Sequence, residues 1–435
     1  MTTSLPNITR SLEIYESGNS LIPGVTQTFA KGPRNYVFGV SPIFAESGKG
    51  AYLTDVDGNT FLDFTMAVGP LSLGYSDSRV NQAIQNQLDK GITFSLPSSL
   101  ETVTAVKIIE MVPGIESVRF SKTGADVTTA AIRLARAITG RDEVVCCGYH
   151  GWHDWYIGLT SRNAGIPDSA RKLTRNATYN DIESFRALMN EKTACVILEP
   201  VLFEAPQADF LRQLRQLCDQ VGCLLIFDEM WTGFRIDPGG AQKFFDVRAD
   251  LVTFSKSLAN GMPLSVICGS YAHLERFEKD VFFYTTFGGE ALSLAAAMET
   301  LTIIQSEDVC GHIGRLGLKL KEGINQLSQT LHLPHIQCMG LPFRTLLNFS
   351  SDDSLLEKSF VSQELLRNRI LWSGNHHLSF SHTEADIDTF LDALAPILTK
   401  LRELKTNGKL ASALLGKPIQ VPFRTTTGKT HSREK

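Results

Sequence analysis

Long apolar runs are missing from this chain: no segment approaches the roughly 20 apolar residues that cross a bilayer. The first twenty residues, MTTSLPNITRSLEIYESGNS, also lack the basic start and apolar stretch of a secretory signal. The expectation is a cytoplasmic protein with no membrane partner. Charge of one sign is equally scarce. A net charge of -4 on 435 residues, with no basic stripe, argues against a nucleic-acid partner and for small-molecule chemistry. The eight cysteines never form a CxxC pair, the usual seed of a zinc or redox site. Cys146, Cys147, Cys195, Cys223 and Cys268 lie in or beside apolar segments and read as buried thiols. No internal repeat or low-complexity linker interrupts the chain.

What is present suits a large core. With 43% hydrophobic and 20% charged residues, the chain is long enough for roughly two or three structural units. Two alternating stretches flank Asp57-Gly58 between Gly50 and Phe64 and predict a hairpin. Helical spacing follows at Val80, Ile84 and Leu88, then from Glu101 to Met111, where Pro113-Gly114 ends it. Val118–Phe120 reads as a strand, and Val127, Ala130, Ala131, Leu134, Ala135 and Ile138 as one helix face. Strands follow over Glu143–Cys147, Ala194–Leu198, Leu224–Phe227 and Leu251–Phe254, with a helix carrying Phe210 to Val221 among them. Apolar strands alternating with amphipathic helices predict an α/β fold with a largely parallel sheet covered on both faces. From about Ser306 the pattern shifts to a smaller α+β unit that ends in a helix over Glu384–Leu404. The expected division is 1–75, an arm and hairpin; 76–305, a large domain; 306–424, a small domain; and 425–435, a flexible tail.

In an open parallel sheet, ligands bind beyond the carboxyl ends of the strands. Ser121 to Asp126, SKTGAD, opens a helix there: either an ordinary capped helix or a cradle of N–H groups for a phosphate. Tyr149-His150-Gly151-Trp152-His153 follows another strand. Histidines three apart fit a metal pair on a helix, but Gly151 between them and the lack of a third ligand favour stacking of an aromatic ring on a flat cofactor. Asp228 and Lys256 each end an apolar strand. The carboxylate is semi-buried beside a cation or plainly structural; the lysine snorkels or is a nucleophile with a lowered pKa.

Read in order, DVDGNTFLDF, GP with LGY at Gly69–Tyr75, RFSKTGAD, YHGWHD, ILEPV, LIFDEMWTGFR, FSKSLANGMPLSV, TFGGEALSLAAA and SFSHTEADID together resemble the class III aminotransferases. The similarity runs from roughly Gly24 to Leu394 and is greatest to the glutamate-1-semialdehyde aminomutases. It implies the fold-type-I architecture, with a mostly parallel seven-stranded sheet domain and a smaller C-terminal α+β domain, and pyridoxal 5'-phosphate as cofactor. By the same resemblance Lys256 forms the internal aldimine and shuttles the proton, and Asp228 keeps the pyridine nitrogen protonated. Tyr149 stacks on one ring face and Met230 lies on the other. Thr123, Gly124 and Ala125 form the phosphate loop, and Thr286 reaches the phosphate of a neighbouring subunit. A homodimer with shared active sites follows from that last match, with an amine donor and a carbonyl acceptor as substrates and no metal.

Departures from the aminomutase pattern concentrate on the substrate. Ala30, with Lys31 beside it, stands where the aminomutases carry an arginine for the substrate carboxylate, Val68 replaces a tryptophan, and Asn375 a glutamate. Lys31, Val68, His150, Trp152 and Asn375 are therefore the candidate substrate residues, with His376, His377, Arg235 and Arg344 as further candidates. The resulting expectation is an aminotransferase whose acceptor is a keto-sugar, cyclitol or similar polar metabolite. The alternatives are a semialdehyde aminomutase and a silent scaffold; retention of both Lys256 and Asp228 argues against the scaffold.

Overall fold

The computed structural model describes residues 4–207 and 209–420, so the expected flexible tail at 425–435 lies outside the described residues. Two compact units are present, one built from residues 4–77 with 311–420 and one from 78–310. The first begins with a helix over Thr9–Gly18, followed by β1 (Ala45–Lys49), β2 (Tyr52–Asp55) and β3 (Thr60–Asp63). The predicted hairpin is β2–β3, turned at Gly58 with φ 82°. Asp57 in this turn accepts the Arg10 and Ser11 N–H groups at 2.7 and 2.9 Å, satisfying two otherwise orphaned donors of the first helix.

In the second unit β4 (Ser117–Ser121), β5 (Glu143–Cys147), β6 (Thr174–Asn176), β7 (Thr193–Leu198), β8 (Leu224–Asp228), β9 (Leu251–Phe254) and β10 (Ser265–Gly269) form one sheet. Their order is β4–β10–β9–β8–β7–β5–β6. Five strands, β5 to β9, run parallel, and β10 is antiparallel to both neighbours. All of β7 and β9 is buried, as expected of strands covered on both faces. The helix Gly124–Thr139 covers one face through Val127, Ala130, Ala131, Leu134 and Ala135, which pack with Ile226, Leu251 and Ile267. Each fully buried leucine-sized side chain there contributes about 1.5–3 kcal/mol. Thr123 and Asp126 close a capping box at its start, and Gly140, left-handed at φ 66°, ends it. All eight cysteines are free and buried.

Returning to the first unit, β11 (Ile336–Leu341), β12 (Arg344–Phe349) and β14 (Asn375–His376) form a three-stranded sheet. The short β13 (Ile370–Leu371) pairs in parallel with β3. That pairing joins the chain before residue 77 to the chain beyond 311 in one sheet. The closing helix, Glu384–Thr406, begins with a capping box of Thr383 and Asp386. Among the described residues no helix is long and apolar enough to cross a membrane.

Candidate active site

In the second unit, β9, β8, β7 and β5 lie side by side, and each presents a polar side chain at or just beyond its carboxyl end. These are Lys256, Asp228, Glu199 and Tyr149. Asp228 is completely buried, with Oδ1 accepting the Met230 N–H at 3.1 Å and Oδ2 lying 2.7 Å from His150 Nδ1. A bond from this ring to an ionised carboxylate, which can only accept, is one donated by Nδ1–H. His150, expected beside the substrate, is thus a buried ring bonded to Asp228, stacked on Trp155 at 6.0 Å. Its Nε2 is buried with no hydrogen-bond partner among the described residues.

Tyr149 is half exposed. Its N–H donates to Glu199 Oε1 at 2.8 Å, and burial, with the Asp228 and Glu199 charges nearby, pushes the phenol up so that it stays protonated. Gly148, at φ 117°, lets the chain pass Glu199, since a Cβ there would lie 2.8 Å from Oε1. The motif ILEPV contains Glu199, but nothing in its spacing reveals this contact.

The helix opening at Gly124 meets the same rim. A Cβ on Gly124 would lie 2.7 Å from Met230 Sδ, and one on Gly151 would lie 2.7 Å from Ala125 Cβ. The loops after β4, β5 and β8 therefore converge, tied further by Thr128 Oγ1 donating to the His150 carbonyl at 2.8 Å. Thr123 Oγ1 accepts the Asp126 N–H, which leaves the first-turn N–H groups of Gly124 and Ala125 with no acceptor inside the helix. Lys122 turns away, pairing with Glu290 at 2.8 Å.

Lys256 opens a short 3-10 turn with φ 38°, a left-handed conformation that its Cβ disfavours. Strain of this kind collects at functional sites. Beside Asp228, Glu229 is wholly buried and accepts from Ala241 N–H at 2.6 Å and Thr232 Oγ1 at 3.0 Å. Desolvation pushes its carboxyl up to about 7. Arg235 is also fully buried, and Trp152 is 69% exposed. Thr286 is exposed on a loop that Arg119 holds by donating to the Phe283 carbonyl at 3.0 Å and by lying 4.3 Å over Tyr284.

The other candidates lie in the first unit. The turn Phe29–Lys31 packs beside the turn Met66–Val68. Phe64, just before that turn, accepts the His377 N–H at 2.8 Å, and Gly69 abuts the His377 ring. Lys31, Val68 and the segment of Asn375 are thereby gathered in one neighbourhood. His376 is buried between Thr345 Oγ1 at 2.9 Å and Trp372 Nε1 at 3.0 Å. Desolvation lowers it to about 3, so it is a neutral structural ring. Arg344 is half buried on β12. Among the described residues no group of three or more His, Cys, Asp or Glu could hold a metal.

The family model described as aminotransferase class-III matches residues 36–346. The chain belongs to the class III aminotransferases. A 3-aminobutyryl-CoA aminotransferase of Cloacimonas acidaminovorans is 31% identical over 412 residues, covering 91% of this chain and 98% of the relative. A glutamate-1-semialdehyde 2,1-aminomutase of Chlorobium phaeobacteroides is 37% identical over 356 residues, covering 77% and 82%. The FumI protein of a Sphingopyxis species, solved as its pyridoxal phosphate internal aldimine, superposes with a TM-score of 0.85 at 28% identity, covering 92% and 98%. As a class III aminotransferase, this chain is a fold-type-I enzyme of aminotransferase or aminomutase activity.

Proposed function

We propose that this class III aminotransferase moves an amino group between two molecules, using pyridoxal 5'-phosphate held at the strand-end rim of the second unit. The cofactor is that of the family, and the residues present fit it. Gly124 and Gly151 let the rim loops approach so closely that a Cβ at either would clash, two first-turn N–H groups at a helix N-terminus suit a phosphate, and an amine and a buried carboxylate end adjacent strands. When bound, pyridoxal phosphate supplies an electron sink for the carbon that carries the amine. Lys256 is the covalent anchor, and its Nζ takes up and returns a proton at that carbon. Asp228, with the lone pairs that His150 and Met230 leave free, would hold the protonated pyridine nitrogen of the cofactor. Tyr149 and Met230 would flank its ring, and Thr123, Gly124 and Ala125 would hold its phosphate.

The observation that carries the reading is the convergence of Asp228, Met230, Gly124 and Gly151 at one rim, one strand away from Lys256. Ala30, Val68 and Asn375 remove the charged and aromatic groups of the aminomutase pattern, which favours a polar acceptor read by neutral hydrogen bonds, such as a keto-sugar or cyclitol. One relative matched over nearly its whole length is a 3-aminobutyryl-CoA aminotransferase, which favours a β-amino acyl donor as a second reading, while an aminomutase matched over the same share of its own length keeps the aminomutase as the alternative. Exposed Thr286, with Ile92, Phe94, Leu96, Phe282 and Phe287 exposed in the same unit, supports a homodimer with shared sites.

A cofactor half-reaction screen tests this. The purified protein should absorb in the visible, and the band should be lost on adding one class of amine from a panel of amino acids, amino sugars and β-amino acyl thioesters. Formation of 5-aminolevulinate from glutamate-1-semialdehyde would replace transfer with the aminomutase reading. A colourless protein, or a Lys256→Ala variant indistinguishable from the parent, would end the enzyme reading.

A further inference from the structure

The first unit holds a turn that its residue types do not explain. Met66, Ala67, Val68 and Gly69 have φ of 42°, 54°, 71° and 98°, four left-handed residues in succession. Only the glycine takes this conformation freely; for β-branched Val68 it is a true outlier. A glycine at 67 or 68 would make the same turn without strain, so Ala67 and Val68 need another reason to be there.

What enforces the turn lies beneath it. Asp63, buried at the end of β3, accepts the Thr65 N–H on Oδ1 at 2.7 Å, and the Met66 N–H also points at this carboxylate. Tyr75 donates its hydroxyl to Asp63 Oδ2 at 2.7 Å and receives the Ala67 N–H. Three successive N–H groups are thus drawn inward onto a buried acid and its part-buried phenol partner. Bonds from Val68 N–H to the Thr65 carbonyl at 2.9 Å and from Gly69 N–H to the Met66 carbonyl at 3.0 Å then close the loop. Thr65 Oγ1 bonds Ser373 Oγ at 3.2 Å, two residues before Asn375. Desolvation pushes the Asp63 carboxyl up, opposed by Tyr75 and the backbone donors. A buried carboxylate with no cation beside it is costly unless its hydrogen bonds are needed.

We propose that Asp63 and Tyr75 are positioning residues for substrate recognition, holding residues 66–69 in a strained left-handed turn that fixes Val68 beside Asn375 where the acceptor is read. This rests on the reading above that Val68 and Asn375 border the substrate. Strained backbone persists where its surroundings over-determine it, and here the restraint is polar and specific.

The test separates strain kept for binding from strain that is merely structural. In Tyr75→Phe, which deletes one hydroxyl, KM for the acceptor should rise about tenfold or more, with kcat within about twofold and the visible absorption of the cofactor retained. Asp63→Asn should act in the same direction. Val68→Gly should relieve strain and raise the melting temperature by about 2–4 °C while still raising KM. A Val68→Gly protein that is more stable with kcat/KM unchanged overturns the proposal, and so does a Tyr75→Phe protein that melts lower with its KM intact. If the parent protein binds no cofactor and transfers no amine, the functional reading fails and this inference falls with it; an active parent with indifferent variants sinks the inference alone.

Discussion

His150 Nδ1 and Asp228 Oδ2 lie 2.7 Å apart, and both side chains are buried. The imidazole takes up one lone pair of Oδ2. Charge-assisted bonds of this kind are strong, and removing one buried partner leaves the other exposed to the full desolvation penalty of about 1–3 kcal/mol.

His150→Phe should therefore lower kcat/KM by roughly 10- to 100-fold, the rate equivalent of that penalty. His150→Asn, whose amide can stand in for Nδ1–H, should keep most of the activity. Steady-state kinetics with both variants decides the matter; equal activity in the phenylalanine variant would remove His150 from the mechanism.

Backbone strain at Lys256 gives a second expectation. Lys256→Ala and Lys256→Gly should both lose turnover, but only glycine adopts φ 38° freely. The glycine variant should be the more stable of the two by roughly 1 kcal/mol in thermal melts. Equal stability would mean that the left-handed residue is not held in solution.

The two rim glycines should differ in consequence. In Gly124→Ala the new methyl meets Met230 Sδ, the end of a flexible side chain that can move, so cofactor affinity should weaken with the fold retained. In Gly151→Ala it meets Ala125 Cβ and Cα from a residue at φ 105°, so no cheap adjustment exists. That variant should lose the cofactor and about 2 kcal/mol or more of stability. Cofactor titration alongside melts separates the two, and a Gly151→Ala variant with normal cofactor affinity would contradict the packing.

Stability should depend on pH in two opposed ways. Glu229, raised from 4.5 to about 7, binds its proton more tightly when folded, so its contribution falls as pH rises from about 4.5 through 7, by roughly 3 kcal/mol in all. His376, lowered from 6.5 to about 3, is neutral when folded, so its contribution is present above 6.5 and is lost as pH falls toward 3. Glu229→Gln should flatten the loss on the alkaline side, measured by denaturant unfolding between pH 5 and 8. An unchanged slope would show that Glu229 does not titrate there.

Much of this architecture is legible in the sequence. β5 and β9 lie where continuous apolar runs place them, and Asp228 and Lys256 are the polar residues that end such runs. β6 and β10 escaped because one is only three residues, TRN, with no apolar pattern, and the other, SVICG, closely follows a Gly/Pro-bearing turn. Glu199 stood in a visible motif without a visible partner. Nothing local pairs His150 with a carboxylate 78 positions away.

The sequence by itself determined the alternation of strand and helix and the family. These follow from periodicity and from ordered motifs, which are properties of neighbours along the chain. Tertiary structure alone decided that His150 bonds Asp228, that Glu199 anchors Tyr149, and that Met66 to Gly69 turn left-handed over Asp63 and Tyr75. Those outcomes depend on buried polar groups finding partners far away in sequence. A buried donor or acceptor must be satisfied wherever the fold places it, and no local pattern of residues encodes where that will be.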